Sequence, residues 1–423
     1  MAGHIPQNSA RAEGPDRVTL YAWLVFALTF GLLISDYMAR QVLNAVFPLL
    51  KAQWSLSDGQ LGLLSGVVAI MVGVLTFPLS LAADRWGRVR SLTLMAILWS
   101  LATLLCAAAQ SFEAMLIGRA LVGIGEAAYG SVGIAVVISV FPARLRATLT
   151  GAFMAGGLFG QVLGVAIGGM VAATHGWRMA FAVIGVAGLV LGLLYPVIVR
   201  EGRIRALAGG SGDAGGSAPA RLRELVGSRS IRLAYVASGL QLFAAGALPA
   251  WLPSYLNRYY DLPVDKAGSL AAVLLLLCGT GMILCGSLSD RISRDRAGAN
   301  VSLAIGYTLG TALCLTAAMQ LPPGTAQLVL LGAAMFLVAG TVGPVGAMVA
   351  NLTPLAIHGS AFAMLTLANN LIGLAPGPIL TGRIADVIGL DAAFRLLPLP
   401  CLLAAATFAA LRRSYLVDLA ARR

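Results

Sequence analysis

The chain is a succession of apolar stretches, each about 20 residues long and divided from the next by a short polar turn. A helix of that length, rising 1.5 Å per residue, covers roughly 30 Å of hydrocarbon. Backbone N–H and C=O groups in hydrocarbon must be paired within the protein, so uninterrupted helices are the solution open to such segments. Hydropathy and turn signals predict twelve spans, near 20–47, 59–82, 91–109, 113–141, 148–173, 178–199, 231–257, 267–289, 299–319, 325–351, 359–385 and 392–411. The chain is 59% hydrophobic and only 11% charged, whereas soluble domains usually carry about 25% charged residues. The expected class is an all-α polytopic membrane protein. Residues 1–17 are polar, and the first apolar run is too long for a signal peptide.

Basic residues orient the spans. If both termini and the linker between spans 6 and 7 face the cytoplasm, the opposite side holds only Lys51, Arg178, Arg258, Lys266, Arg383 and Arg395, with Arg40 and Arg119 inside the membrane. The remaining Lys and Arg lie on the cytoplasmic side, as the positive-inside rule requires. A bacterial inner membrane with both termini cytoplasmic is the expected setting. The net charge of +12 is therefore a topology signal, and nucleic acid is not an expected partner. The expected divisions are a tail (1–19), a six-helix bundle (20–199), a linker (200–229) with a possible amphipathic helix in "ARLRELVGS", a second bundle (230–411) and a tail (412–423).

The second half repeats the first. "LAADRWGRVR" (81–90) is answered by "SLSDRISRDR" (287–296), so Asp84, Arg85, Arg88 and Arg90 recur as Asp290, Arg291, Arg294 and Arg296, each 206 residues on. Gly164 and Gly168 recur as Gly373 and Gly377, 209 residues on. Two parallel six-span halves joined by a linker mark a transporter architecture. "LAADRWGRVR" resembles the signature after the second helix of the major facilitator superfamily. "RALVGIGEAAYGS" (119–131) looks like its fourth-helix motif, and "GGLFGQVLGVAIGG" (156–169) is similar to its glycine-spaced fifth-helix motif. "GIGEAAYGS" with "DYMAR" most resembles Spinster-type members. Those usually carry an Asp directly before the first-helix Arg; here Ala39 stands there and Asp36 lies one turn earlier.

Asp84, Arg85 and Arg88, with Asp290 and Arg291, are expected to latch the halves together on the cytoplasmic side when the outside is open. The competing reading is that they anchor the chain at the headgroups. Gly160, Gly164 and Gly168 make one bare helical stripe suited to close packing. In the superfamily this stripe implies a seal between halves, and ordinary helix packing is the alternative.

Asp36 and Arg40 in span 1, with Arg119 and Glu126 in span 4, are charges in the membrane. Each pair has a spacing of one or two turns, and the four sum to zero. Burial disfavours a carboxylate, and a nearby guanidinium favours it, so water or substrate access can move a proton on or off. The expected role is proton coupling through Asp36, Glu126, Arg40 and Arg119; a fixed salt-bridge scaffold is the alternative. The Spinster resemblance implies such roles for Arg40 and Glu126. Arg40 and Arg119 are also the candidate clamp for an anionic head. Candidate substrate contacts are Tyr37, Tyr129, Gln161, Gln241, Asn369 and Asn370, with interhelical hydrogen bonding as the alternative for the polar groups. Trp251 and Tyr255 read as an aromatic belt at the outer end, and Arg383 and Asp386 as residues of the membrane interface.

The cysteines (Cys106, Cys278, Cys285, Cys314, Cys401) lie in apolar runs, and the histidines lie at a terminus and in turns. They suggest no metal, no cofactor and no enzymatic constellation. The expectation is a monomeric, proton-coupled, alternating-access transporter in contact with membrane lipids. Its solute is amphipathic or anionic: the resemblance implies a lysophospholipid- or sphingolipid-like cargo. The alternatives are a small organic carboxylate moved by proton symport, or multidrug/proton antiport.

Overall fold

Each predicted span becomes a helix in the computed structural model, which describes residues 19–207, 225–294, 296, 298–354 and 357–420. Twelve of the described helices are long and apolar enough to cross a membrane. They are α1 (Leu20–Ala45), α2 (Asp58–Ala83), α3 (Arg88–Ala108), α4 (Phe112–Val140), α5 (Thr148–His175), α6 (Trp177–Ile198), α7 (Arg229–Tyr259), α8 (Val264–Ser293), α9 (Ala299–Ala318), α10 (Thr325–Leu352), α11 (His358–Ile388) and α12 (Leu390–Ala420). Helix ends near Leu20, Ile198, Arg229 and Ala420 lie on one side, the linker face. The α1–α2 and α7–α8 turns lie on the other, the far face. The expected linker helix in "ARLRELVGS" falls mostly outside the described residues; a short helix, Glu201–Leu207, follows α6 instead.

Local sequence sets the helix ends. Ser57 and Gln60 form a reciprocal capping box at the start of α2. The helix of α2 runs on past the span to Trp86 and stops at Gly87, whose φ of 96° is a left-handed angle that disfavours side chains. Four of these helices are interrupted, α10 at Ala339–Thr341 and α12 at Leu397 among them. In α4 the helix breaks at Ala127–Ala128, and Thr76 of α2 donates 2.8 Å to the Ala127 carbonyl. In α11 the six residues Asn369–Leu374 wind as a π-helix before Pro376.

The glycine stripe packs inside the first half, against α1. A methyl group at Gly160 would sit 2.6 Å from the Ile34 carbonyl, one at Gly164 would sit 2.8 Å from Met38 Cα, and one at Gly168 would sit 2.9 Å from Val42 Cγ2. The seal between halves uses other glycines. Gly169 of α5 faces Gly268 of α8, each 3.4 Å from the other's Cα when extended by a methyl. A methyl group at Gly62 would run into the Pro378 carbonyl, and one at Gly66 would sit 2.7 Å from that of Ala375, both across the α2–α11 seam. The halves thus close backbone to backbone, mainly toward the far face.

Gly164→Leu is expected to insert but to lose thermal stability and transport, because the new side chain meets Met38 backbone with no room to yield. Wild-type melting and flux of the purified variant would show that α1 and α5 do not pack this closely.

Candidate functional site

The charges of the first half converge where α1 passes the break in α4. Arg40 Nη1 lies 3.9 Å from Glu126 Oε2, and the Asp36 carboxyl faces that of Glu126. Glu126 is the last residue of the first α4 segment, so the break sets its position. Asp36 and Glu126 are 6% and 7% exposed, while the Arg40 side chain is 23% exposed. Helix α1 is ringed by α4, α5 and α6 and meets α7 and α8 of the other half. Arg40 is the most exposed of the three charged side chains that meet here.

Two carboxylate oxygens of this site, Asp36 Oδ1 and Glu126 Oε1, are buried without a hydrogen-bond partner. Such an oxygen is costly to hold in a low-dielectric interior. Arg119, the second cation of the set, is held by backbone instead. Arg119 is fully buried, and its Nη1, Nη2 and Nε donate to the carbonyls of Ala39 (2.8 Å), Arg40 (2.9 Å) and Leu64 (3.3 Å). It ties α4 to α1 and α2, and in this conformation it offers no free edge to a solute. Arg40 is the cation that both pairs with Glu126 and keeps an exposed surface.

Several candidate contacts prove to be interhelical bonds. Tyr129 is fully buried, donates to the Thr29 carbonyl at 2.7 Å and meets Trp99 edge-on at 5.0 Å. Gln241 is equally buried and donates to the Val338 carbonyl (3.0 Å) and Thr311 Oγ1 (3.4 Å). Gln161 is half-buried and accepts from Gln41, which accepts from Asn44, which accepts from Ser65, an amide chain linking α5, α1 and α2. Tyr37 is half-buried beside Gly157 and Gly160. Asn369 and Asn370 open the π-helix. Asn370 donates to the Thr366 carbonyl at 2.9 Å, and both Oδ1 atoms are buried without partners.

The belt reading of Trp251 and Tyr255 is corrected too. Both are fully buried, with Trp251 donating to the Pro378 carbonyl at 3.0 Å and Tyr255 to Asp391 at 3.1 Å. Arg85, Asp290 and Arg291 stand exposed on the linker face, Arg88 is half-buried, and the Asp84 side chain lies outside the described groups. The α2–α3 turn is tied to its own half: Glu201 accepts the amides of Arg88 (3.2 Å) and Val89 (2.7 Å). An acid missing from the sequence-derived candidates, Asp58, joins Lys51 and Arg258 at the far face. Its signal was an acid just inside a helix start, which by itself reads as an ordinary first-turn residue.

Twelve spanning helices in two repeats, closed at one face around buried charges, define a solute transporter. The chain belongs to the Major Facilitator Superfamily, whose family model matches residues 29–345; its members are transporters, not enzymes. It is 26% identical over 374 residues to the hexuronate transporter of Bacillus subtilis, covering 84% of this chain and 86% of that protein. It is 26% identical over 290 residues to the sphingosine-1-phosphate transporter SPNS2 of Danio rerio, covering 64% and 56%. In fold it is similar to a bacterial homologue of the human lysosomal transporter Spinster, solved in an inward-facing, occupied conformation. That likeness has a TM-score of 0.82 and 21% identity, and it covers 95% of this chain and 98% of the other.

Arg119→Lys keeps the charge but cannot reach three carbonyls at once, so it should cost stability by about 2 kcal/mol or more. Thermal unfolding in detergent checks this. A variant as stable as wild type that has lost only substrate binding would restore Arg119 as a clamp.

Proposed function

We propose that this protein is a proton-coupled transporter of an amphipathic anion, working by alternating access. The observation that carries this reading is the pair of bare carboxyl oxygens beside a single ion pair. A proton placed between Asp36 and Glu126 turns one acid into a donor and relieves both orphaned oxygens. Arg40 lies against the other oxygen of the same carboxyl, Glu126 Oε2, so it competes with the proton for the charge of Glu126, and it is the partner open to solute. An anionic head that draws Arg40 away from Glu126 favours protonation of the acid pair, and loss of the proton returns Arg40 to it. Arg119 biases the site by its charge but stays on its carbonyls.

The first half supplies the cation, and the second half supplies an apolar wall in which the Gln241 amide nitrogen already donates to the Val338 carbonyl. That division suits a charged head with an apolar body, such as a lysolipid or sphingolipid-like molecule, the class to which the cargo named for SPNS2 belongs. A small organic acid is the second reading, supported by the cargo named for the hexuronate transporter and by the gallate transporter of Pseudomonas putida, which is 25% identical over 420 residues. Both use Arg40. Uptake by proteoliposomes of a lysophospholipid against glucuronate and gallate separates them, and transport of the acids alone would overturn the lipid reading.

The linker face is read as cytoplasmic, which places the contacts of Asp58 and Asp386 on the outer side. Cysteines introduced within 209–218 should label from that side, and those within 261–265 from the other. The inverse pattern would reverse the direction of every proposed movement.

Glu126→Gln keeps the shape and removes the titratable proton. It should bind and exchange substrate without a gradient, yet lose accumulation or expulsion driven by a pH gradient. Asp36→Asn should show a weaker form of the same defect. Gradient-driven flux at wild-type rates in both variants would leave these charges as scaffold.

A further inference from the structure

The closed far face carries a charge arrangement that the coupling site does not use. Asp58, at the first residue of α2, has a side chain only 4% exposed. Its Oδ1 accepts from Lys51 Nζ of its own half at 2.6 Å and from Arg258 Nη2 of the other half at 2.6 Å. Its Oδ2 accepts from Arg258 Nη1 at 2.8 Å. The grip of Arg258 is therefore bidentate, the strong form of guanidinium–carboxylate bond. A second acid works in the opposite sense. Asp386 of α11 accepts the backbone amides of Asp58 (2.6 Å) and Gly59 (2.8 Å), two of the donors that a helix start leaves without intrahelical partners. Ser57 serves the Gln60 amide and its carbonyl serves Leu61, so the first half caps part of its own helix and the second half caps the rest. Gly59 makes this possible, because a methyl there would lie 2.8 Å from Asp386 Oδ2 and 3.1 Å from the Arg383 side chain.

We propose that Asp58 and Asp386 form a reciprocal lock that holds the far face shut, and that Lys51 keeps the lock reversible. Each half reaches an acid or its partner into the other: Arg258 comes to Asp58, and Asp386 comes to the start of α2. Parting the halves breaks the bidentate bond and releases two helix-start amides to water. A nearly buried carboxylate stripped of every cation makes such opening expensive. Lys51 belongs to the same half as Asp58 and travels with it, so the acid retains one cation when Arg258 leaves. Arg258 and Asp386 thus stabilise the closed state, and Lys51 stabilises the open one relative to an unpaired acid. The two kinds of residue, all within one cluster, have opposite signs of effect.

The test reads conformation directly, without substrate or a proton gradient, and so stands apart from the coupling reading. Spin labels on Ala52→Cys and Lys266→Cys, with the native cysteines replaced, report the far-face separation of the full chain in nanodiscs by pulsed electron resonance. Arg258→Gln and Asp386→Asn should each raise the ratio of long to short distances about tenfold or more, the effect of removing a charge-assisted bond from one state only. Lys51→Gln added to Asp386→Asn should return the population toward the short distance. Unchanged distances in both single variants would overturn the lock. A further opening on adding Lys51→Gln would overturn the role given to Lys51, making it one more clasp. Melting temperatures near wild type in the same samples exclude a loss of fold as the source of any long distance.

Discussion

The guanidinium of Arg119 is the fixed point around which the first half is organised. It is fully buried, and carbonyls of Ala39, Arg40 and Leu64 take up its donors where water would otherwise do so. A cation in such a place is tolerated only where protein acceptors replace the lost water. Because two of those carbonyls belong to Ala39 and Arg40, the same contact sets the height of Arg40 on α1 against Glu126 on α4. The ion pair of the site is held at 3.9 Å by a neighbour that takes no part in it. Loosening Arg119 would move the coupling geometry together with the fold.

The spans and the repeat were legible in the sequence because both are periodic properties of the chain itself. Apolar length reports membrane crossing, and an offset of about 206 to 209 residues reports duplication. Grouping was legible as well: Asp36, Arg40, Arg119 and Glu126 lie where α1 meets α4. What hydropathy cannot carry is rotation about each helix axis. Arg119 and Arg40 read alike as cations within the membrane, yet one turns to backbone carbonyls and the other to a carboxylate. The same ambiguity sent Tyr129 and Gln241 to the solute, and the Gly160–Gly164–Gly168 stripe to the seam between halves. Trp251 and Tyr255 stood at the right depth for a lipid belt, but α7 turns both inward.

Asp58 was hidden for a different reason. Its partners Arg258 and Asp386 lie 200 and 328 residues away, and at short range it is an acid in the first turn of a helix, a common position with a sufficient local cause. Sequence separation on that scale leaves no local pattern to read. The duplication gives no help, because the two halves contribute different groups to the closure. A repeat reports what the halves share, whereas a lock between them depends on how they differ.

That difference bears on how the two faces of such a protein alternate. The seam of α2 with α11 and of α5 with α8 is made of glycines set against backbone, Gly66 against Ala375 and Gly169 against Gly268. Contacts of this kind fit closely but involve few atoms, and in a membrane lipid tails can replace them with little net loss. Apolar packing alone therefore discriminates weakly between one face closed and the other. Charge-assisted hydrogen bonds made in one state only discriminate strongly, since a ligand or a proton can shift an equilibrium no further than the difference it meets between states. In this chain such bonds sit at the far face, and the titratable pair sits at mid-depth. The far-face cluster can set the resting balance, and the acid pair at Glu126 can tip it.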